Sequence, residues 1–354
     1  MSDGFTKARA MNFPRQVLAG HGCVNQTGAV CQEFELKGTV LMVTGPTTGR
    51  LAAGLVRESL EQDKYDVQQV EVGPATQQNL VKVEEVAKDV KASFLIGVGG
   101  GSKIDLAKLA SLNLKMPFLS VPTSASHDGI ASPRASIKDG GNSLSLHAKV
   151  PMGVIADTAL IVKAPYRLLA SGCADVISNT TAIMDWQLAE RLRSEDFSSS
   201  AANLAKYAAE SIIENAAAIK PNLEESVWVS IRPIIISGIS MAVAGSSRPT
   251  SGSEHMFSHL LDKIAPGKAL HGEQCGVGSI MMMYLHGGDW QRIRSALQMI
   301  GAPTSASELG VTAEQLKEAL VHAHEIRKDR YTILGDRGLT PDAAERLARI
   351  TKVI

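Results

Sequence analysis

Three histidines and one aspartate in the second half of the chain have the types and spacing of metal ligands. His255 and His259 are four residues apart in a segment with helical periodicity, so both imidazoles lie on one helix face. His271 follows soon after, and Asp175 lies in the earlier segment 171–181. Imidazole and carboxylate ligands suit Zn²⁺ or Fe²⁺, and three protein ligands leave an open position for an alcohol or carbonyl oxygen. The pattern predicts a catalytic metal site between adjacent helices.

Each of these residues also has an ordinary structural explanation. A lone histidine on a helix is more often a surface residue or a satisfied core residue than a ligand. Asp175, which we expect at the start of a helix, could be an N-cap. On spacing alone, either His255 or His259 could bind the ion. The ordinary explanation is kept for the isolated histidines, which are His21, His147, His286, His322 and His324.

A run of three glycines, Gly99–Gly101, is the second chemical signal. It follows the apolar segment 94–98 and precedes a helix-like segment, 103–110. A strand, a glycine turn and a helix N-terminus place free N–H groups and the positive end of the helix dipole at one point, which suits a phosphate or diphosphate. Because many turns contain glycines, the run indicates a nucleotide site only together with its surroundings.

The first half of the chain alternates between short apolar runs and segments with helical periodicity. We predict strands at 16–19, 38–44, 65–72, 93–98 and 117–121, with a turn at 45–49 and helices at 51–62, 77–90 and 103–112. Such alternation predicts a parallel sheet with right-handed crossovers. Ligands bind at the carboxyl ends of the strands in such sheets, and Gly99–Gly101 lies at one of these ends.

The pattern changes after the fifth strand. Residues 135–147 predict a β-hairpin with a Gly-Gly-Asn turn, and 154–161 a further strand. Helices follow, at 175–193, 199–219, 223–245, 252–262, 273–285, 289–300, 312–324 and 341–352. The predicted fold is therefore an N-terminal α/β domain with a Rossmann-like parallel sheet, residues 1–162, and an all-α C-terminal domain, residues 163–354, that binds metal and substrate.

Bulk composition excludes several functional classes. The chain has 354 residues with 36 basic and 36 acidic side chains, so net charge gives no reason to expect binding to nucleic acid or to an anionic membrane. No apolar run is expected to reach the about 20 residues of a membrane span, and the N-terminus lacks the apolar core of a secretory signal. The four scattered cysteines are expected to be reduced thiols, which predicts a cytoplasmic protein.

Five motifs in a fixed order give the chain a family resemblance. They are Gly99–Asp105, Pro122–Gly129, Gly172–Asn179, Ser253–His259 and His271–Glu273. Together they resemble the group of iron-containing alcohol dehydrogenases, glycerol dehydrogenases and dehydroquinate synthases, whose fold has a Rossmann-like domain and a helical domain. The segment Ser126–Ser136 is the most specific part and resembles the archaeal glycerol-1-phosphate dehydrogenase family. The resemblance extends from about Pro14 to Ile350.

The resemblance implies a role for each matching residue. The dinucleotide diphosphate would be held by Gly99, Gly100, Gly101, Ser102 and Lys103. The nicotinamide side would be lined by Thr123, Ser124, Ala125 and Ser126, with Ser132 also at the cofactor. The metal ligands would be Asp175, His255 and His271. Asp128 and His259 would be catalytic residues that contact substrate, as Asp175 would also do.

The implied reaction is the metal-dependent, NAD(P)-linked reduction of dihydroxyacetone phosphate to sn-glycerol 1-phosphate for archaeal phospholipid biosynthesis. One Zn²⁺ is expected rather than Fe²⁺. The loop after the second strand, 44–50, has no acidic residue to contact the ribose 2′-hydroxyl, so we expect use of NADPH as well as NADH. Candidate partners of the substrate phosphate are Arg134, Lys138, Lys149, Lys263 and Lys268. We expect neither nucleic-acid binding nor membrane insertion. We expect the protein to form a homo-oligomer.

Three alternatives remain open at this point. The chain could be a glycerol or other polyol dehydrogenase of the same fold. It could be a lyase similar to dehydroquinate synthase, which restores its NAD during each turnover. It could also be a nucleotide-binding regulator without catalysis, although the presence of Asp175 and all three histidines disfavours that class.

Overall fold

The computed structural model describes residues 10–139 and 142–354. Its strands are β1 Gln16–Gly20, β2 Thr39–Thr44, β3 Asp66–Glu71, β4 Phe94–Gly99, β5 Phe118–Pro122, β6 Arg134–Asp139, β7 Asn142–His147 and β8 Gly153–Asp157. Six of them form a parallel sheet in the order β1-β8-β5-β4-β2-β3. The predicted parallel sheet is thus confirmed, and β1 forms one of its edges.

The central strands are apolar on both faces because helices cover both sides of the sheet. Every residue of β4 and of β5 is buried. This explains why the strands appear in the sequence as continuous apolar runs rather than as alternating patterns. The carboxyl ends of β4 and β5 lie side by side, with Gly99 opposite Pro122. The segments that follow these two strands therefore meet at one edge of the sheet.

The helices surround the sheet and build the C-terminal half. They are α1 Thr27–Glu33, α2 Pro46–Leu51, α3 Ala53–Gln62, α4 Gln77–Asp89, α5 Gly101–Asn113, α6 Thr158–Ile161, α7 Tyr166–Ile177, α8 Asn179–Arg193, α9 Ser199–Glu214, α10 Glu224–Ala244, α11 Ser253–Ile264, α12 His271–Leu285, α13 Trp290–Ile300, α14 Ala306–Leu309, α15 Ala313–His322 and α16 Pro341–Ile350. The predicted helical second half is confirmed. The largest apolar cluster joins it to sheet residues such as Val154, and the predicted boundary at 162/163 stays a prediction.

Three local predictions are wrong. The predicted turn at 45–49 is largely the helix α2. Pro46 occupies its first position, where a proline is well tolerated. The strand predicted at 154–161 ends at Asp157, whose carboxylate accepts hydrogen bonds from the N–H groups of Ala159 and Leu160 and so starts α6. The helix predicted at 175–193 is two helices, α7 and α8, separated at Ser178.

The last correction changes the position of Asp175. It lies near the end of α7, not at the start of a helix, so the N-cap explanation is excluded. The predicted hairpin is present as the antiparallel pair β6–β7. The tip of its predicted turn, residues 140–141, lies outside the described residues.

The helix α10 lies within its predicted bounds, 223–245, but it is more apolar than expected. An 18-residue window of its 21 residues has a mean hydropathy of 1.7, which meets the length and composition of a membrane span. Most of that segment, 67%, is buried inside the protein, and α10 packs against α7 and α9. The helix is apolar because it forms the centre of the helical half. The four cysteines are free and buried, as expected.

Candidate active site

The aspartate and two of the histidines converge on one point between α7, α11 and α12. Nε2 of His255 lies 3.7 Å from Oδ1 of Asp175, and Nε2 of His271 lies 3.8 Å from the same oxygen. These separations are too long for hydrogen bonds, and the buried Oδ1 atom has no hydrogen-bond partner among the described residues. Ligands at about 2.1 Å around a tetrahedral Zn²⁺ would be about 3.4 Å apart. The cluster therefore fits a metal ion.

Two helices approach each other closely to build this cluster. Asp175 lies on α7 and His271 opens α12, and the two helices pack together. A Cβ atom on Gly272 would lie only 2.0 Å from the backbone oxygen of Ser171. Only glycine permits this approach, which brings the first turn of α12 next to the end of α7.

The thiol of Cys275, which was not predicted from the sequence, lies at the same point and is a fourth group that could ligate a metal. The ligand atoms of Asp175, His255, His271 and Cys275 all lie within 4.8 Å of one another. Sγ of Cys275 is 3.6 Å from Nε2 of His271. The signal was present in the sequence, since Cys275 follows His271 by four residues and shares its helix face.

Buried hydrogen bonds orient both imidazoles. Nδ1 of His255 is 2.9 Å from Oε1 of Glu254, a carboxylate with no solvent exposure. The hydroxyl of Ser258 donates to Oε1 of Gln274 at 2.7 Å, so its oxygen can accept the Nδ1 hydrogen of His271 at 3.0 Å. Each contact places the hydrogen on Nδ1 and leaves Nε2 unprotonated toward Asp175. Such outer partners are typical of histidine ligands.

The electrostatic environment suits a cation. Burial raises the pKa of the Asp175 carboxyl to about 7, and the charge of Glu254 adds to this shift. Burial lowers the pKa values of His255 and His271, so their imidazoles are neutral at neutral pH. In the absence of an ion, the site thus holds two neutral bases and a carboxyl whose charge has no compensating partner.

Asp128 and His259, the predicted substrate contacts, lie beside the cluster. The N–H of Asp128 donates to Oδ2 of Asp175 at 3.1 Å, and its own carboxylate accepts from Ser237 at 2.9 Å. Burial, reinforced by the charge of Asp175, raises the pKa of Asp128 to about 7. The ring of His259 stacks on that of His271 at 5.6 Å, and its buried Nδ1 has no partner among the described residues.

The glycine run forms the turn between β4 and α5. No side chain caps the helix at Gly100 in the described part of the chain, so the first-turn N–H groups remain available for an anion. A Cβ atom on Gly100 would lie 3.1 Å from Oγ of Ser124, and one on Gly101 only 2.0 Å from Nε2 of His127. The glycines therefore let Ser124 and His127 pack closely against the turn, and the fit to a dinucleotide diphosphate rests on the uncapped helix N-terminus.

The other predicted cofactor residues lie around this turn. The N–H of Thr123 donates to the oxygen of Gly99 at 3.0 Å, which joins the segment after β5 to the glycine turn. Ser102 is exposed, while the amine of Lys103 donates to the oxygen of Gly73 at 2.7 Å. The remaining three belong to the buried or half-buried segment that connects the glycine turn to the metal cluster, namely Ser124, Ala125 and Ser126.

Ser132 is fully buried, and its hydroxyl bonds to the backbone of Arg134. Its cofactor role stays a prediction. His127 was not predicted. Its Nδ1 accepts from the N–H of Gly129 at 2.9 Å, and its ring covers Gly101, so it lies between the glycine turn and the metal cluster.

Comparison with known proteins identifies the family. The chain is 57% identical over 347 residues to the glycerol-1-phosphate dehydrogenase [NAD(P)+] of Methanosarcina barkeri (strain Fusaro / DSM 804), covering 98% of this chain and 97% of that relative. The chain belongs to the glycerol-1-phosphate dehydrogenase family. It is also 56% identical to the enzyme of the same name from Methanothermobacter thermautotrophicus, over 98% of this chain and 99% of the relative.

Broader comparisons place this family within a shared fold. A sequence profile described as iron-containing alcohol dehydrogenase matches residues 18–165. The crystal structure of glycerol dehydrogenase from Schizosaccharomyces pombe is similar with a TM-score of 0.80 at 18% identity, covering 98% of this chain and 91% of that one. Sulfoacetaldehyde reductase from Bifidobacterium kashiwanohense, in complex with NAD+, gives a TM-score of 0.76 at 18% identity, with 98% and 99% covered. These structures confirm the predicted fold class.

Proposed function

We propose that this protein reduces dihydroxyacetone phosphate to sn-glycerol 1-phosphate with NADH or NADPH and one bound Zn²⁺. The observation that carries the proposal is the full-length similarity to relatives named glycerol-1-phosphate dehydrogenase [NAD(P)+]. It is supported by the cluster in which Nε2 of His255 and Nε2 of His271 face Oδ1 of Asp175. A glycine turn suited to a dinucleotide diphosphate lies on the adjoining edge of the sheet.

We assign a separate role to each group of site residues according to its position. Asp175, His255 and His271 would hold the metal ion, and the turn at Gly99–Gly101 would hold the diphosphate of the cofactor. When bound, Zn²⁺ supplies Lewis-acid polarisation of the C2 ketone and the reduced nicotinamide supplies the hydride. Asp128, held by Ser237, would orient the hydroxyl of the substrate.

The reduction also needs one proton at the C2 oxygen. Burial lowers the pKa of His259 well below its usual value, so the ring is a neutral donor and acceptor rather than an imidazolium. Its unpartnered Nδ1 and its stacking on His271 support a position for it beside the reacting oxygen. We assign it the transfer of the proton between water and that oxygen. The overall reaction consumes a ketone, a reduced dinucleotide and a proton, and it yields an alcohol and the oxidised dinucleotide.

The test is a turnover assay on the zinc-loaded protein. Oxidation of NADPH and NADH is followed with dihydroxyacetone phosphate, and the glycerol phosphate is then resolved by chiral analysis. We expect one equivalent of oxidised cofactor for each sn-glycerol 1-phosphate formed. Equal turnover of unphosphorylated dihydroxyacetone would indicate a polyol dehydrogenase, and turnover without net cofactor oxidation would indicate a lyase.

A matched pair of variants tests the metal assignment. His255→Ala and His271→Ala should each lose zinc and nearly all turnover, because each removes one of three ligands. His147→Ala, which alters an exposed histidine on β7, should retain both. Full zinc content and full activity in either site variant would refute this ligand set.

The same proposal extends to the setting of the enzyme. The product is the backbone expected for archaeal membrane phospholipids, and we propose that the protein acts in the cytoplasm without inserting into a membrane. We further propose a homo-oligomer that binds no nucleic acid. Size measurement in solution by light scattering tests the assembly, and a monomer would contradict it.

A further inference from the structure

A cationic side chain without a protein partner lies beside the metal cluster. Arg327 lies two residues after a short 3-10 helix, Ala323–Glu325, that packs against α11. The helix α11 carries both His255 and His259. The segment that contains Arg327 is therefore held against the helix that supplies one predicted metal ligand and one predicted substrate contact.

Arg330 fixes this segment in place. Its guanidinium donates to the oxygen of Ser251 and, at 3.0 Å, to the hydroxyl of Ser247, both in the turn that precedes α11. Arg330 is thus committed to the backbone around the helix N-terminus. Arg327, three residues earlier on the same segment, is positioned by this anchor without taking part in it.

Arg327 itself has no assigned partner. Its side chain is half-buried, yet it forms no side-chain hydrogen bond or ion pair within residues 10–139 and 142–354. By contrast, Arg248 in the same half is paired with Glu195. Holding a cation in a partly desolvated place without an anion is unfavourable, which is typical of a site whose anion is a ligand.

Arg327 acts on neighbouring cations and imidazoles, and the carboxylates of Asp329 and Glu195 also act on Arg330. The charge of Arg327 contributes to the lowered pKa values of His255 and His259, after the larger effect of burial and the effect of neighbouring charges. It contributes in the same way to the lowered pKa values of Arg134 and Arg330. Neither of these arginines forms an ion pair with a carboxylate in the described part of the chain. A dianion bound here would relieve the mutual repulsion of these groups.

We propose that Arg327 binds the phosphate of the substrate and so selects a phosphorylated over an unphosphorylated ketone. The inference rests on the proposed function, and it names a residue that the sequence motifs did not indicate. A guanidinium presents a planar fork of donors that matches two phosphate oxygens. The 3-10 helix that precedes Arg327 packs against α11, which carries His259, the predicted contact of the reacting end.

The basic residues predicted from the sequence as partners of the substrate phosphate fit this role less well than Arg327. Lys149 donates to the oxygen of Met116, which precedes β5 at the edge of the sheet opposite the glycine turn. Arg134 is committed to Ser145 through three hydrogen bonds. The other three candidates are exposed to solvent, and they are Lys138, Lys263 and Lys268. Of these, Lys263 also acts on the pKa of His259, which makes it the rival assignment.

The experiment compares two substrates in three proteins. Wild type, Arg327→Met and the control Arg337→Met, an exposed arginine of the following segment, are loaded with zinc and assayed with dihydroxyacetone phosphate and with dihydroxyacetone. For Arg327→Met we expect kcat/KM on the phosphorylated ketone to fall about 10- to 100-fold, as for loss of a charge-assisted hydrogen bond. Turnover of dihydroxyacetone, zinc content and the KM for NADPH should not change, and Arg337→Met should resemble wild type.

A binding measurement separates this inference from the proposed function. Inorganic phosphate is titrated calorimetrically into zinc-loaded wild type, Arg327→Met and Lys263→Met, without turnover. Weakened phosphate binding in Arg327→Met alone supports the assignment, even if dihydroxyacetone phosphate were not the substrate. Equal losses on both ketones, or phosphate binding that depends on Lys263 and not on Arg327, would overturn it.

Discussion

Glu254 shows that the chemistry of this site depends on residues beyond the metal ligands. Its buried carboxylate is shared between the N–H of Gly252 at 2.6 Å, the hydroxyl of Thr181 at 2.9 Å and Nδ1 of His255. Burial and the charge of Asp185 raise the pKa of Glu254 to about 7. In its charged form the carboxylate makes His255 a better electron donor and fixes its ring orientation. The residue next to a ligand in sequence thus becomes its partner in space.

Replacing Glu254 with Gln should weaken metal binding without unfolding the protein. The amide is nearly the same size but carries no charge, so we expect the zinc dissociation constant to rise about 10- to 100-fold, the range typical of outer partners of histidine ligands. Competition with a fluorescent chelator measures this constant. Glu345→Gln is the control, since it alters a half-exposed carboxylate that pairs with Arg349 and Lys317. An unchanged constant in Glu254→Gln would mean that this hydrogen bond only packs the helix.

Cys275 poses a different question at the same scale, because a fourth protein ligand would close the site to substrate. Burial raises the pKa of its thiol well above the usual value, which favours the neutral form, a poor metal ligand. We therefore expect Cys275→Ala to retain one zinc ion and most of its turnover. Cys173→Ala, at another buried cysteine on α7, controls for the cavity left behind. Loss of zinc in Cys275→Ala alone would show that the thiol is a ligand.

The site residues that could be predicted from the sequence are those that lie close to one another along the chain. His255 and His259 share a helix face by spacing alone, and Gly99–Gly101 lies between an apolar run and a helix pattern. Glu254, His127 and Arg327 were not predicted, because their roles arise from contacts between segments distant in the chain. Their residue types are common on any protein surface, and only packing shows that they are buried or unpaired.

The helix α10 packs closely against the loop that contains Asp128, and this contact positions the predicted substrate side of the site. A Cβ atom on Gly238 would lie 2.5 Å from the oxygen of Asp128 and 3.0 Å from the nitrogen of Ser132. Ser237, the residue before this glycine, donates a hydrogen bond to the carboxylate of Asp128. A small residue and a donor side by side therefore hold Asp128 between α10 and the metal cluster.

Gly238→Ala should push this loop away from α10. Overpacking of this kind typically costs about 1 to 3 kcal/mol of stability, and displacement of Asp128 should lower kcat/KM at least several-fold. Denaturant unfolding and turnover measure the two effects. Gly54→Ala on α3, where an added Cβ would meet nothing within 4 Å, should be neutral or slightly stabilising. A Gly238→Ala protein with wild-type turnover would show that the loop can move without loss of function.

At the level of elements, periodicity located the strands but not every helix boundary. The strands β2, β4 and β5 are short apolar runs, and their burial on both faces left a clear pattern. The break between α7 and α8 at Ser178 has no glycine or proline to mark it. The cause of the break is tertiary, because α7 ends at the metal cluster while α8 packs against α9 as well as α11 and α12.

For the whole molecule, the buried charges couple metal binding to proton release. Burial raises the pKa values of Asp175 and Asp128 to about 7, from a usual value near 3.8 in the unfolded chain. Their contribution to metal-free stability is therefore fully present below about pH 4 and is lost as pH rises through 7. The buried His255 and His271 have lowered pKa values, so their contribution is present above the usual histidine value and is lost as pH falls below it.

Zinc binding should consequently release a proton from a carboxyl rather than from an imidazole. Near pH 6 the carboxyl of Asp175 is mostly protonated while His255 is neutral, so we expect proton release on zinc binding near pH 6 and almost none near pH 8.5. Calorimetry in buffers of different ionisation enthalpy counts these protons. Asp175→Asn should reduce the release, because its amide has no proton to lose in this range, and any remainder would come from Asp128 and Glu254, whose pKa values burial also raises to about 7. A release that is the same in Asp175→Asn as in wild type would contradict this assignment.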